Sequence, residues 1–215
     1  MEITLAPERL SLDPGSAVFL EQQTWADYQA LLTLRGESSW PKIYFHDPTH
    51  SLFLMAPLPS HGNRIDTLRD LVKILLRAQG QDWQCFDPIT LRRWQTAGVE
   101  PDTCFYLENR QAILGKERLD LALDPPPDLA IEVDLTSPTA LAAYESLGVP
   151  ELWIYRLGEL KIFCLLNGAY QEQSQSPRFP QCDLQTLLPH YIELAWREGS
   201  SAALRQFEML IQTKP

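Results

Sequence analysis

The sequence predicts a mixed α/β (α+β) domain built around one sheet, and three observations support this. Apolar residues make up 45% of the 215 positions, which is typical of a packed globular core. Residues 60–79 carry apolar side chains at helical spacing, which predicts one long amphipathic helix. After residue 80, short strand-like runs and one short helix follow, an order that fits helices covering a central sheet.

The elements of the first half are predicted as follows. Thr24 is a suitable N-cap for a helix that ends near Gly36. Residues 42–57 predict two apolar strands joined by a turn. Ser60 is predicted to cap the long helix, which Gly80 ends.

The second half predicts further strands, one short helix and two C-terminal helices. We expect a single domain, 1–215, with a core of about 42–175 and a helical addition of about 183–213. The predicted elements are strands at 82–86, 102–107, 128–135, 151–157 and 159–166, a helix around 139–148, and two helices separated near Gly199.

Composition restricts the compartment and the partners. The N-terminus lacks the features of a signal peptide and no apolar run is long enough to span a membrane, so we expect a soluble, cytoplasmic protein. Four scattered cysteines without metal-ligand spacing are expected to be reduced thiols. The net charge of −10 opposes tight nucleic-acid binding, because phosphate neutralisation dominates that affinity and Arg92–Arg93 is only a small basic cluster.

Two carboxylates share one face of the strand predicted at 128–135. Leu129, Ile131 and Val133 fall on one side of this strand, whereas Glu132 and Asp134 fall on the other. Such a strand can simply expose its polar face to water. Alternatively, the acids can belong to a site, because like charges placed close together need a cation between them.

A third acid fits the second interpretation. Asp102 begins the strand "PDTCFYL", and a short connection favours pairing of this strand with the one that carries Glu132. Two carboxylates, a backbone carbonyl and water suffice for a hard cation such as Mg²⁺.

Three segments of the sequence resemble a known family. "EPDTCFYLENR", "GKERLDLALDPPPDLAIEVDLTSPT" and "YESLGVPELWIY" are similar to the signature blocks of a restriction-endonuclease-like family, abundant in cyanobacteria, within the PD-(D/E)XK nuclease superfamily. The resemblance covers roughly residues 50–175. It implies an α-β-β-β-α-β core: one mixed sheet flanked by helices, here with added N-terminal and C-terminal helices.

The resemblance also implies residue roles. Asp102 matches the first acid of the motif and Glu132 the second, with the backbone carbonyl of Val133 and the side chain of Asp134 as further candidate ligands of Mg²⁺ or Mn²⁺. The implied reaction is hydrolysis of a DNA phosphodiester by a metal-activated water. A homodimer is implied as well, since cutting both strands takes two sites.

The chain departs from the family motif at its lysine. The tripeptide reads Glu-Val-Asp, so Asp134 stands where (D/E)XK has lysine, and the following helix contains neither lysine nor arginine. Lys116 is the lysine between the two acids and is a candidate substitute. His61, at the start of the long helix, is a candidate to line the site.

Three functional hypotheses remain open at this point. The first is a metal-dependent endonuclease that uses Asp102 and Glu132. The second is a nuclease fold whose chemistry has lapsed and that serves as a binding or assembly module, which the missing lysine and the acidic charge favour. The third is a metal-dependent hydrolase of a smaller substrate.

Overall fold

A computed structural model describes residues 12–38, 40–87, 89–134 and 139–213. These residues form strands and helices, and the strands form two sheets. The strands are β1 Ala17–Leu20, β2 Lys42–His46, β3 Ser51–Met55, β4 Gln84–Phe86, β5 Leu91–Arg93, β6 Ala97–Val99, β7 Thr103–Tyr106, β8 Leu129–Val133, β9 Glu151–Arg156, β10 Glu159–Leu166 and β11 Ala169–Gln173. The helices are α1 Trp25–Arg35, α2 Pro59–Ala78, α3 Leu141–Leu147, α4 Leu184–Glu198 and α5 Ser200–Thr213.

The larger sheet is mixed and carries the predicted core. Its strand order is β11-β10-β9-β8-β7-β4, with β8 parallel to β9 and the other pairs antiparallel. The predicted α-β-β-β-α-β order is confirmed as α2, β4, β7, β8, α3 and β9. The connection from β8 to β9 runs through α3, as a parallel pair requires.

The smaller sheet was not predicted from the sequence, which indicated only one sheet. Its order is β1-β3-β2-β6-β5, so the predicted hairpin at 42–57 pairs with a second hairpin inserted between β4 and β7. The chain leaves β6 at Val99 and enters β7 at Thr103. The short segment 100–102 therefore passes directly from one sheet to the other.

Three apolar clusters hold these layers together. Helices α2, α4 and α5 pack on one face of the larger sheet, against side chains that include Phe105, Ile131 and Trp153. The second cluster fills the space between the two sheets and α3 and includes Tyr44, Cys104 and Tyr144. The third packs α1 on the outer face of the smaller sheet. The larger sheet is therefore covered on both faces.

The helix ends follow local sequence signals, with one correction. Thr24 caps α1 in a reciprocal capping box with Asp27, as predicted. Helix α2 begins at Pro59 and not at a Ser60 cap: Leu58 is the N-cap residue and makes no side-chain cap bond. Proline suits the first helical position because its missing N–H would lack a partner there anyway.

Two further predictions can be compared with the structure. The four cysteines are unpaired; Cys104 and Cys164 are buried, whereas Cys85 and Cys182 are partly exposed. In the described part of the chain, no helix is long and apolar enough to cross a membrane.

Candidate active site

Asp102 is the centre of a buried polar cluster at the junction of the two sheets. The residue is 2% exposed, and Oδ2 accepts a hydrogen bond of 2.7 Å from the backbone N–H of Val133. The other oxygen, Oδ1, accepts a hydrogen bond from Nζ of Lys42. His61 Nε2 lies 3.1 Å from Oδ2. Asp102 therefore connects β8, β2 and α2 through one carboxylate.

Glu132 lies opposite Asp102, as the predicted pairing of their strands requires. The antiparallel register pairs Thr103 with Ile131, so one position further the two acids face each other across β7 and β8. Glu132 Oε2 accepts a 3.2 Å hydrogen bond from the backbone N–H of Asp102, and Oε1 accepts one from the Tyr144 hydroxyl. The two acids thus belong to one connected network.

The structure excludes a solvated position for Glu132. Both faces of β8 are buried, and Glu132 is 3% exposed, so its carboxyl does not lie on a solvated strand face. One face packs under the helices and the other faces the layer between the sheets. A buried carboxyl there needs partners, because burial of an unpaired charge is costly.

The pKa values of Asp102 and Glu132 are shifted in opposite directions. Burial would raise the pKa of Asp102, but the charge of Lys42 and the nearby His61 outweigh it and lower the pKa to about 2. Burial, with the charge of Asp102 added, raises the pKa of Glu132 well above its ordinary value. The charges of Asp102 and Glu132 raise the pKa of Lys42 against the opposing effect of burial. The ammonium–carboxylate pair is charged, whereas Glu132 favours its neutral form.

Lys42 is the functional candidate that sequence reasoning missed. Strand β2 is antiparallel to β6, with Phe45 opposite Gly98, and the continuation of that register brings Lys42 beside the segment 100–102. Its Nζ also donates a 3.2 Å hydrogen bond to the carbonyl of Glu100. The available signal was a single lysine directly before the run Ile43–Phe45 in the strand "KIYFH", which is buried along its whole length, because a buried lysine needs a partner.

A buried ion pair fixes the segment that carries Asp102. Glu100 accepts two hydrogen bonds of 2.6 Å from Arg35, in the bidentate arrangement that favours arginine. It also accepts 2.7 Å and 2.8 Å bonds from the Thr90 hydroxyl and the Ile43 backbone N–H. Helix α1, β2 and the loop before β5 therefore hold the backbone two residues before Asp102.

The cluster opens to solvent through a cavity of about 500 Å³. Lys42, His61 and Asp102 lie at its inner wall, and Arg69 lies further out with Asp66 and Asp87 as ion-pair partners. His61 is 3% exposed and is brought into the cluster by the first turn of α2. A small anionic or polar group that reaches the inner wall of this cavity meets the ammonium of Lys42 and the imidazole of His61.

Two other predicted site residues have different surroundings. Both carboxylate oxygens of Asp134 accept hydrogen bonds from Thr139, of 2.7 Å from its hydroxyl and 2.8 Å from its backbone N–H. Lys116 pairs with Asp124 in the loop before β8, and neither Asp102 nor Glu132 is among its partners. The structure thus joins Asp102, Glu132, His61 and the backbone of Val133, and places Lys116 outside that group.

The donor set can be tested against the divalent cation that the resemblance implies. In the described residues no group of three or more His, Cys, Asp or Glu side chains is arranged to hold a metal ion. Asp102 and Glu132 nevertheless supply carboxylate oxygens, the chemistry that Mg²⁺ prefers, and one or two carboxylates commonly suffice for it. Burial, with the charge of Asp102 added, raises the pKa of Glu132, and a cation between the two acids would offset their repulsion. The residues therefore fit a hard cation in type and charge, once Asp102 Oδ1 is released from Lys42.

Comparisons with known proteins identify the family of the chain. Residues 25–197 match the model of the Uma2 family, whose description is "Putative restriction endonuclease". No curated protein matches the sequence.

A solved structure shares the fold. It is described as a putative nuclease belonging to DUF820 from Anabaena variabilis ATCC 29413. The two chains are 11% identical with a TM-score of 0.51, and the alignment covers 80% of this chain and 96% of the other. At this identity the likeness concerns the fold alone.

Proposed function

Because the chain belongs to the Uma2 family of restriction-endonuclease-like proteins, we propose that it is a metal-dependent endonuclease that hydrolyses DNA phosphodiesters at the Asp102–Glu132 cluster. One observation carries this proposal. The two acids expected from the motif meet on neighbouring strands, and a lysine from β2 lies against the first acid. The residue types of the motif, two acids and a lysine, are therefore present in one buried cluster beside an open cavity.

The chain's own residues have distinct roles in this proposal. Asp102 and Glu132 hold the cation, with the carbonyl of Val133 as the backbone ligand that the resemblance implies and Asp134 as a further candidate. A bound Mg²⁺ or Mn²⁺ would lower the pKa of a water and offset phosphate charge. Lys42 and His61, at the inner wall of the cavity, orient the phosphate by hydrogen bonds and charge.

A cleavage assay tests the proposal. Supercoiled plasmid, linear duplex and single-stranded DNA are incubated with the protein in Mg²⁺, in Mn²⁺ and in chelator. We expect nicking or cutting that needs metal and that falls at least about a hundredfold in Asp102→Asn and in Glu132→Gln, because each variant removes a charged ligand. Glu159→Gln, an exposed acid on β10, is the matched control and should retain full activity.

Activity that survives in Asp102→Asn would contradict the assignment of the site. A wild-type chain that binds metal but cuts none of the substrates would contradict the nuclease proposal.

The alternative of a binding or assembly module has one specific observation in its favour. The cations lining the cavity are each placed against carboxylates: Lys42 against Asp102, and Arg69 against Asp66 and Asp87. Phosphate would have to compete with these acids. The same cleavage assay separates the two, since a lapsed enzyme leaves DNA intact in every metal.

A homodimer, implied by the resemblance, is part of the proposal for duplex DNA. Light scattering after size exclusion measures it directly, with twice the 24.6 kDa chain mass as the expected result.

A further inference from the structure

The Lys42–Asp102 ion pair has a consequence for metal binding, if the site is the metal site of the proposed function. Nζ of Lys42 contacts Oδ1 of Asp102, and the two side chains are 8% and 1% exposed. The second carboxylate oxygen, Oδ2, is already engaged by the Val133 N–H at 2.7 Å and lies 3.1 Å from His61. The Asp102 oxygen that a metal ion would need is therefore the one that the ammonium occupies.

Two cations at this oxygen repel each other strongly in a buried site. A Mg²⁺ ligand lies about 2.0–2.1 Å from the ion, and an ammonium at hydrogen-bond distance from the same oxygen would be within a few ångströms of the dication. Repulsion between them is large where little water screens it. This repulsion favours the departure of one cation when the other binds.

The surroundings allow Lys42 to be the one that leaves. The ammonium lies at the wall of the open cavity, which Asp66 and Asp87 also line, so a displaced ammonium moves toward solvent and further carboxylates. Apart from the contact with Asp102, the ammonium makes one hydrogen bond, of 3.2 Å, to the Glu100 carbonyl. By contrast, Glu100 is fixed by Arg35, Thr90 and Ile43 and keeps the backbone in place when the lysine moves.

We propose that Lys42 is a built-in competitor for the metal position: its ammonium neutralises Asp102 in the metal-free protein and lowers the affinity of the site for divalent cations. The chain thus keeps a stable buried aspartate without metal, and a metal ion binds only by displacing the lysine. The same displacement leaves the ammonium at the cavity, where a phosphate would enter.

Manganese titration of matched variants tests this inference. Binding of Mn²⁺ is measured by calorimetry and by the loss of the free-ion electron paramagnetic resonance signal. Lys42→Met keeps an unbranched apolar side chain, one atom shorter than that of lysine, and removes its charge. We expect Lys42→Met to bind Mn²⁺ at least tenfold more tightly than the wild type. Lys161→Met, which removes an exposed lysine on β10, should match the wild type.

Equal or weaker binding by folded Lys42→Met, or no binding by either protein, would overturn the competitor role. A measurement on the unmodified chain covers the case in which Lys42→Met does not fold. In that measurement, the nuclear magnetic resonance signal of the Lys42 side-chain Nζ is followed while Mg²⁺ is added. Its chemical shift should change as the ion pair with Asp102 breaks. A resonance that stays unchanged at saturating Mg²⁺ would also overturn the inference.

Failure of this inference and failure of the proposed function give different results. Equal Mn²⁺ affinity in the wild type and Lys42→Met, together with metal-dependent DNA cleavage, would contradict the competitor role of Lys42 and support the nuclease function. Tighter Mn²⁺ binding by Lys42→Met, with no DNA cleavage by the wild type, would support the competitor role and contradict the nuclease function.

Discussion

At the scale of single residues, the candidate site is governed by charge balance. Asp102, Glu132 and Lys42 are all buried, and one ammonium faces two carboxyl groups. Lys42 keeps Asp102 ionised, whereas burial and the charge of Asp102 favour the neutral form of Glu132. The tyrosine that donates to Glu132, Tyr144, is fully buried and its pKa is raised by that burial and by Glu132.

Glu132→Gln should stabilise the protein at high pH in the absence of metal. A carboxyl whose folded pKa is raised contributes stability that is fully present below its unfolded pKa and is lost as pH rises toward the folded pKa. Glutamine does not titrate, so the variant avoids this loss. We expect the unfolding free energy of Glu132→Gln to exceed that of the wild type by about 1–3 kcal/mol at pH 8 and by much less at pH 5.

Urea unfolding at the two pH values, with chelator present, measures the difference. Glu159→Gln, at an exposed position, controls for a general effect of removing one negative charge. A difference between wild type and Glu132→Gln that does not change with pH would show that Glu132 is ionised in the folded protein.

At the scale of elements, the site depends on how closely α1 approaches β6. Gly98 of β6 lies against the buried ring of Tyr28 on α1, and a Cβ at Gly98 would overlap the Tyr28 hydroxyl and ring. The chain continues from β6 through Glu100 to Asp102. Any shift of β6 is therefore passed to the site.

Gly98→Ala and Gly62→Ala should have opposite effects on stability. At Gly98 the added methyl meets a ring that cannot move within its packed cluster, so we expect a loss of about 2–4 kcal/mol. Gly62 lies in α2 with open space where the methyl group of an alanine would stand, and alanine there should gain about 0.5–1 kcal/mol from helix propensity. Thermal and urea unfolding of the two variants test this, and a neutral Gly98→Ala would mean that α1 moves away without cost.

At the scale of the whole molecule, the acidic charge restricts how DNA can be bound. The net charge is −10, and Lys42 and Arg69 at the cavity are already paired with acids. A protein gains most of its affinity for the DNA phosphate backbone from lysine and arginine side chains that are free to neutralise phosphates. Under the proposed function, a divalent metal ion at the site would reduce this local repulsion.

DNA binding should therefore be weak without metal. In chelator and about 150 mM salt, we expect the dissociation constant for a short duplex to be no tighter than about 10⁻⁴ M, the weak end of non-specific binding. Adding Ca²⁺ or Mg²⁺ should tighten it. Fluorescence anisotropy measures both conditions. A dissociation constant in chelator clearly tighter than about 10⁻⁴ M would contradict the prediction and indicate a basic surface remote from the cavity.

Short-range signals in the sequence determined the elements of the fold. The Thr24–Asp27 box starts α1, the apolar spacing of 60–79 gives α2, and the alternation of Leu129, Ile131 and Val133 gives β8. These three features depend on residues close together in the chain, so local periodicity and capping were sufficient to predict them. The pairing of Asp102 with Glu132, which are 30 residues apart, was expected because their strands follow each other in the chain.

Tertiary structure alone decided which lysine meets the acids. Lys42 is separated from Asp102 by 60 residues and reaches it through the register of β2 on β6, in a second sheet that no local pattern distinguished from the first. Lys116, nearer in sequence to both acids, binds Asp124 instead. The sequence by itself determined the acids and the strands that carry them. The cation that neutralises them depends on pairing between distant strands, which is set by the packing of the whole molecule.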